Sequence, residues 1–476
     1  MKRVLYALVM VAFSLHGMAA EPTKMNVLFI ISDDLTSTAL SCYGNKVCKT
    51  PNIDRLAARG TRFTRAYCQG TYCGPSRASF MSGYYPHATG VMGYTNPRPE
   101  IGDREMWSQH FKNAGYYAAR VSKIFHMGVP GGIEEGSDGA DDPESWTEKF
   151  NSQGPEWKAP GNGETLEKNP DGKRPVVGGN TFVVVEADGG DEVHSDGKTA
   201  KKACELIAQH KDSPFFLAVG FVRPHVPFVA PQNYFAPFLP YENTVLPMKV
   251  PGDWDDIPKA GINYKTSLNM QMDLRRQKKA VGGYYACVSF MDAQVGKVLD
   301  ALEAAGVAEK TIIIFTSDHG YHLGEHDFWA KVSLHDESAR VPLIISVPGK
   351  KAAVSSSLVE LLDLYPTTAS LCGLDVPGRL QGKDISPLLD DPARTVRDAA
   401  FSVSPMQKGL MLCTDRWVYI QYDEDARKGI ELFDMVNDPK QYTNLAALPE
   451  HADRVASFKA QMTAKLADVR NNDLGK

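Results

Sequence analysis

The chain has 476 residues, of which 43% are hydrophobic and 23% charged, and its net charge is −5. That length exceeds one small core and fits a large domain with a smaller one, and the composition excludes a low-complexity or disordered chain. Slight acidity argues against binding nucleic acid or a membrane through a global basic field, so any positive charge meant for a polyanion must be concentrated in a site.

The chain opens with Lys2 and Arg3, an apolar run over 4–13 and the small-residue stretch Gly17-Met18-Ala19-Ala20. This is the pattern of a cleaved secretory leader, residues 1–20. The run is short for a bilayer span, and no cysteine near the cut would carry a lipid. The expected location is periplasmic or secreted, with no membrane attachment after cleavage.

Residues 26–31 read as a strand buried on both faces, hence a central parallel strand, and it ends in Ser32-Asp33-Asp34. Adjacent carboxylates at a strand end are costly unless solvated, paired or bound to a cation. Residues 50–60 carry the start and stop signals of a helix, with Pro51 in the first turn and Gly60 after the end. An alternating strand over 61–67 then leads to Cys73-Gly74-Pro75-Ser76-Arg77. Ser76 is placed to cap a short helix whose free amides face Cys73, an electropositive setting that suits anion chemistry. A lone cysteine is otherwise a structural core residue. A helix over 107–114 is closed by Gly115, and a strand over 116–121 delivers Lys123 and His126 just past its end.

Between 127 and 197 Gly, Asp, Glu, Pro and Asn dominate, with Trp146 and Trp157 embedded and one short strand expected at 181–185. So long a loop-rich insertion reads as a rim over the site, its tryptophans suited to sugar stacking or a packed surface. A helix over 195–209 and a buried strand over 215–219 precede Arg223-Pro224-His225-Val226-Pro227, whose prolines stiffen the backbone around His225. A long helix over 280–305, bent at Gly296, covers the sheet. The strand 311–316 ends in Ser317-Asp318-His319-Gly320, with Lys331 a short way on. A strand at 342–347 and a helix over 358–371 follow. Strands at 409–413, 417–421 and 431–434 and a helix over 450–469 suit a small antiparallel α+β domain. The expected division is a large domain over 21–392 and a small one over 393–476. Eight cysteines are present, and the spacing of Cys42 and Cys48 leaves a disulfide between them open.

Asp33, Asp34, Lys123, His126, His225, Asp318 and His319 all fall just past the ends of expected core strands. In an open α/β sheet those ends share one crevice, where ligands bind. Oxygen donors from Asp33, Asp34 and Asp318 suit a hard divalent cation, Ca²⁺ before Mg²⁺, although His319 is a poorer ligand for Ca²⁺.

The segment from Cys73 to Gly83, C-x-P-S-R followed by Ser82-Gly83, resembles the signature of the type I sulfatases. Residues 26–34 and 51–56, Lys123 to His126, Pro224 to Pro227, Ser317 to Gly320 and Leu323 to Lys331 fall in the order seen in that family. Lys-x-x-His and the His319 beside Asp318 are similar to its iduronate-2-sulfatase branch. The resemblance implies an alkaline-phosphatase-like α/β fold, a large mixed, mostly parallel sheet between helices with a small C-terminal α+β domain on a short antiparallel sheet. It implies one Ca²⁺ held by Asp33, Asp34, Asp318 and His319, with residue 73 as a further ligand. A separate maturation enzyme would convert Cys73 to formylglycine, whose hydrate is the nucleophile. Arg77 and Lys123 would steady that hydrate; Lys331, His225 and Lys123 would hold sulfate. His225 would protonate the departing sugar oxygen, and His126 would take the proton that lets sulfate leave. Two departures stand out: Ser82 where Thr is commoner, and Ser122 where Gly commonly precedes the lysine.

The implied activity is hydrolysis of sulfate esters on a sulfated oligo- or polysaccharide, uronate 2-O-sulfate by branch. The rivals are a phosphate or phosphonate monoester hydrolase of the same superfamily and a non-catalytic protein that binds sulfated glycans.

Overall fold

The computed structural model describes residues 24–168 and 179–475, so the leader expected at 1–20 lies outside them. The apolar run after Asn26 forms the strand Asn26–Asp33, buried along its whole length. Its alternate side chains go to opposite faces of the sheet, the period-two geometry of a strand. Leu28 and Ile30 join the apolar cluster built with the helices Ser195–His210 and Leu274–Ala304. Val27, Phe29 and Ile31 join a second cluster with Cys73–Ser82, Trp107–Asn113 and Leu364–Leu371. Each such side chain contributes about 1.5–3 kcal/mol of burial, opposed by the chain entropy lost on ordering.

The large sheet has nine strands among the described residues. At its centre the parallel strands Thr311–Ser317, Asn26–Asp33, Phe215–Pro224, Tyr117–Ser122 and Glu148–Phe150 lie side by side in that order. Arg340–Ser346 runs antiparallel to Thr311–Ser317 and to Thr61–Tyr67. The sheet is therefore mixed and mostly parallel, as the sequence implies. A register shift between Ile31 and Asp33 breaks the ladder against Phe215–Pro224 and re-aims the end of the central strand. The neighbouring strands touch closely below the site: a Cβ on Gly220 would lie 2.1 Å from the Lys123 carbonyl, so only glycine fits there.

Several expectations need correction. The insertion is not a loop with one strand. It supplies Glu148–Phe150 to the edge of the large sheet. It also builds a three-stranded sheet from Gly161–Thr165, Val183–Ala187 and Phe228–Pro231, the last lying just beyond His225. Trp146 is buried: its indole N–H donates to Asp141 at 3.0 Å and its ring packs on Phe125, so it serves the core and no sugar. Leu274–Ala304 runs as one helix, uninterrupted at Gly296. A Cβ there would lie 2.5 Å from Asn52 Oδ1, so this glycine admits the helix Pro51–Ala57. The helix expected over 358–371 begins only at Leu364, after the short strand Val359–Glu360. All eight cysteines are free, Cys42 and Cys48 included.

Beyond the large sheet Ala400–Ser404, Gly409–Cys413, Trp417–Tyr422 and Ile430–Asp434 form an antiparallel sheet, the first of them not expected from sequence. The helix Ala452–Arg470 packs on it, and Phe401, Tyr419, Phe458 and Met462 continue the second apolar cluster of the large sheet.

Candidate active site

Strand ends and the helix Cys73–Ser82 bring the expected residues together. The expected Ser76 cap is not what starts that helix. Cys73 itself is the first helical residue, after Tyr72 in extended conformation, and the Ser76 hydroxyl donates to the Asp318 carbonyl. Cys73 Sγ lies 3.3 Å from Asp33, 4.0 Å from Asp34, 3.4 Å from His319 Nε2 and 3.4 Å from Lys331 Nζ. Burial first, then the Asp33 charge, pushes the thiol well above its ordinary value, so the unmodified side chain is a protonated thiol and a poor nucleophile.

Charges of both signs are fully buried around it. Lys123 pairs with Asp33, and Lys331 with Asp34 at 2.7 Å. Arg77 binds Asp318 at 2.9 Å, reaches Asp33 at 3.4 Å and donates to the carbonyls of Lys123 and Ile124 at 2.6 and 2.9 Å. Burial by itself raises Asp33, but Lys123, His225, Arg77 and Lys331 outweigh it and hold that carboxyl well below the usual range. Asp34 goes the other way: burial raises it, its neighbours Asp33 and Asp318 add to the rise, and Lys331 and His319 do not fully offset them.

Those neighbours form a candidate cation site. His319 Nδ1 faces the Gly320 carbonyl at 2.9 Å, which can only accept, so Nδ1 carries a hydrogen and Nε2 is the nitrogen turned to the site. Nε2 lies 3.2 Å from Asp34 Oδ1 and 3.4 Å from Cys73 Sγ, and Asp34 Oδ2 is buried with no hydrogen-bond partner. The buried carboxylates of Asp33, Asp34 and Asp318 repel one another unless positive charge sits among them. Asp33, Asp34, Cys73 and His319 offer ligand atoms all within 4.8 Å of one another. Asp318 stands beside them, 3.6 Å from His319 Nε2, with its oxygens taken by Arg77 and by the amides of Asp34 and His319. The donor set fits a divalent metal.

His225 Nδ1 is likewise engaged by a carbonyl, that of Val226, and its Nε2 faces Asp34 at 3.7 Å. Burial, then Lys331, drives its proton affinity well down. His126 stacks on Tyr94 with ring centroids 4.0 Å apart, and burial followed by the Lys123 charge lowers it to about 2. Backbone strain gathers at the same place. Asp34, Ser122, Ala330 and Val332 all have positive φ, the last two flanking Lys331. Non-glycine residues there cost about 1–3 kcal/mol each and persist where surrounding structure fixes them, often at functional sites. Ser122, the departure before Lys123, thus occupies a backbone position that favours glycine.

Behind His225 stands a support that sequence reasoning does not reveal. Arg223, buried, donates to the carbonyls of His225 and Pro227 at 2.7 and 2.8 Å and pairs with Glu156 of the insertion. Asp196 accepts from the amides of Val222 and Arg223 at 2.8 and 2.9 Å. Tyr94 and Tyr264 also stand at the site without having been expected there. Among these only Arg223, within the Arg-Pro-His-Val-Pro run, carries any local signal.

The sulfatase family model matches residues 25–374, and a model of the C-terminal part of N-sulphoglucosamine sulphohydrolase matches 324–471. A sulfatase of Formosa agariphila is 31% identical over 453 residues, covering 92% of this chain and 86% of its own. Iduronate 2-sulfatase of Homo sapiens is 35% identical over 401 residues, covering 75% of this chain and 70% of its own. Among solved structures, a phosphonate monoester hydrolase of Silicibacter pomeroyi has a TM-score of 0.75 at 20% identity, covering 93% of this chain and 95% of that one. A 2-O GAG sulfatase has a TM-score of 0.70 at 23% identity, covering 94% and 93%. At those identities the two structures speak for the fold alone.

Proposed function

The chain belongs to the sulfatase family and is a sulfuric ester hydrolase, and from that premise we propose that it removes sulfate from a sulfated carbohydrate. Uronate 2-O-sulfate is the favoured ester, supported by the likeness to iduronate 2-sulfatase, and other polysaccharide sulfates come next. The observation that carries this reading is the convergence of Asp33, Asp34, Lys331 and His319 on Cys73 Sγ.

Asp33, Asp34, Asp318 and His319, with residue 73, would hold one Ca²⁺, which supplies positive charge to neutralise the carboxylates and polarise a sulfate oxygen. Formylglycine, made from Cys73 by a maturation enzyme, would supply the hydrated aldehyde as nucleophile and replace a soft sulfur donor by oxygen. The other roles fall to side chains of this chain. Arg77, locked by Asp318 and two carbonyls, fixes the floor under residue 73. Lys331 and Lys123 present ammonium groups to the anion. His225 keeps Nδ1 on the Val226 carbonyl, so a proton it delivers to the leaving sugar oxygen travels on Nε2. The negative charge of bound sulfate favours loading that proton, against the burial that otherwise keeps the ring neutral. His126, held neutral, suits the role of base.

The leader pattern supports a periplasmic or secreted enzyme, and no helix among the described residues is long and apolar enough to cross a membrane. We assign 21–392 to the catalytic domain and 393–476 to the small one. The decisive assay compares matured protein on aryl sulfate and aryl phosphate: sulfate turnover dominates, and a clear preference for phosphate rejects the reading in favour of the phosphate and phosphonate hydrolases. Cys73→Ala abolishes turnover with folding intact. Peptide mass spectrometry over 66–77 finds formylglycine at 73; an unmodified thiol from a host that has the maturation enzyme refutes the nucleophile assignment.

A further inference from the structure

Two tyrosine hydroxyls within electrostatic reach of Lys331 are buried without any hydrogen-bond partner among the described residues, those of Tyr264 and Tyr321. Native folds ordinarily pair such groups, and an exception calls for a reason. Neither phenol is loosely placed. Next to Tyr264, Asn263 donates to the Trp329 carbonyl at 2.9 Å, the Trp329 amide donates to the Lys265 carbonyl at 3.0 Å, and Thr266 bridges Phe328. This segment is therefore laced to residues 328–329, just before Lys331. Tyr321 stacks on Tyr284 at 5.4 Å, and the Tyr284 hydroxyl donates to the Asp34 carbonyl at 2.7 Å. Lys331 and Asp34 act electrostatically on both phenols, and Cys73 and Tyr94 act on Tyr264 as well.

A fixed donor, buried and unpaired within reach of an ammonium, is pre-organised for an acceptor that the ammonium also attracts. We propose that the Tyr264 hydroxyl donates a hydrogen bond to a non-bridging oxygen of the substrate sulfate, the anion that Lys331 holds, with Tyr321 on the same wall. This assignment rests on the sulfatase reading. Tyrosine contributes a donor without adding to a pocket already crowded with charge, and a hydrogen bond to an anion is stronger than one between neutral groups.

The test is Tyr264→Phe in matured, calcium-loaded protein. Removing a hydroxyl that bonds nothing leaves the melting temperature unchanged or higher. Inorganic sulfate, titrated by calorimetry, binds roughly tenfold or more weakly to the variant, and kcat/KM falls by a similar factor on 4-nitrophenyl sulfate and on a sulfated disaccharide. Unchanged sulfate affinity overturns the proposal. So does a loss confined to the disaccharide, which moves the contact to the sugar, or a loss that tracks a lowered melting temperature, which makes the residue structural. A wild-type enzyme inert towards every sulfate ester refutes the parent reading instead.

Discussion

Glu156→Ala is expected to cost about 3–5 kcal/mol of folding stability, the penalty for stranding a buried charge. Arg223 is 2% exposed and Glu156 fully buried. In the variant the guanidinium keeps its two bonds to the carbonyls of His225 and Pro227, and Asp196 still acts on it from nearby. It loses its direct ion pair, and no water replaces it unless the insertion opens. Against a total of about 5–15 kcal/mol, this loss moves the urea midpoint far down at unchanged slope. The double variant Glu156→Ala/Arg223→Met removes the stranded charge with its partner and recovers part of that stability. Its activity stays low, because the donor that fixes the His225 carbonyl has gone. A single variant that loses less than about 1 kcal/mol, or a double variant no more stable than the single one, would refute this account of the pair.

Stripping divalent cations with a chelator lowers the melting temperature and calcium restores it, since the buried carboxylates of Asp33, Asp34 and Asp318 then repel one another with less compensation; a melting curve indifferent to both treatments rules out a structural cation. Ser122→Gly stabilises by about 1 kcal/mol, because it relieves a positive φ and deletes a buried hydroxyl without a partner; a destabilised variant in calorimetry contradicts this. Stability also falls with acid. Burial lowers His322 to about 3, both its ring nitrogens lacking partners, and burial lowers His87 to about 4. The unfolded chain takes up these protons below about 6.5 while the folded chain refuses them, so the stability present above that pH is lost as pH drops towards 4, at about 1.4 kcal/mol per pH unit for each group. His322→Leu removes one proton from the slope measured between those limits, and an unchanged slope excludes this source.

Most of the site is legible in the amino-acid order, for a particular reason. Asp33-Asp34, Lys123, His225 and Asp318-His319 each follow a near-continuous apolar run, and parallel strands deliver their C-terminal ends to one crevice. Ser122 shows how far such reading goes: the sequence marks it as a departure, and only its φ of 62° explains why glycine would suit. The insertion resists such reading in part: the apolar run at Val183–Ala187 announces its strand, but Glu148–Phe150 is short and polar and Gly161–Thr165 is glycine-rich, so no apolar period announces them. Gly296 resists it too, because a helical glycine looks alike whether it bends the helix or makes room for a neighbour.

The sequence by itself determined the central strands, the charged residues at their ends and the family, since apolar period and motif order are properties of contiguous residues. Tertiary structure alone decided which buried groups find partners and which do not: Glu156 meets Arg223, while the hydroxyls of Tyr264 and Tyr321 and Oδ2 of Asp34 are left open. These pairings, and their absence, are set by contacts between segments far apart along the chain, and only folding brings those segments within hydrogen-bond reach.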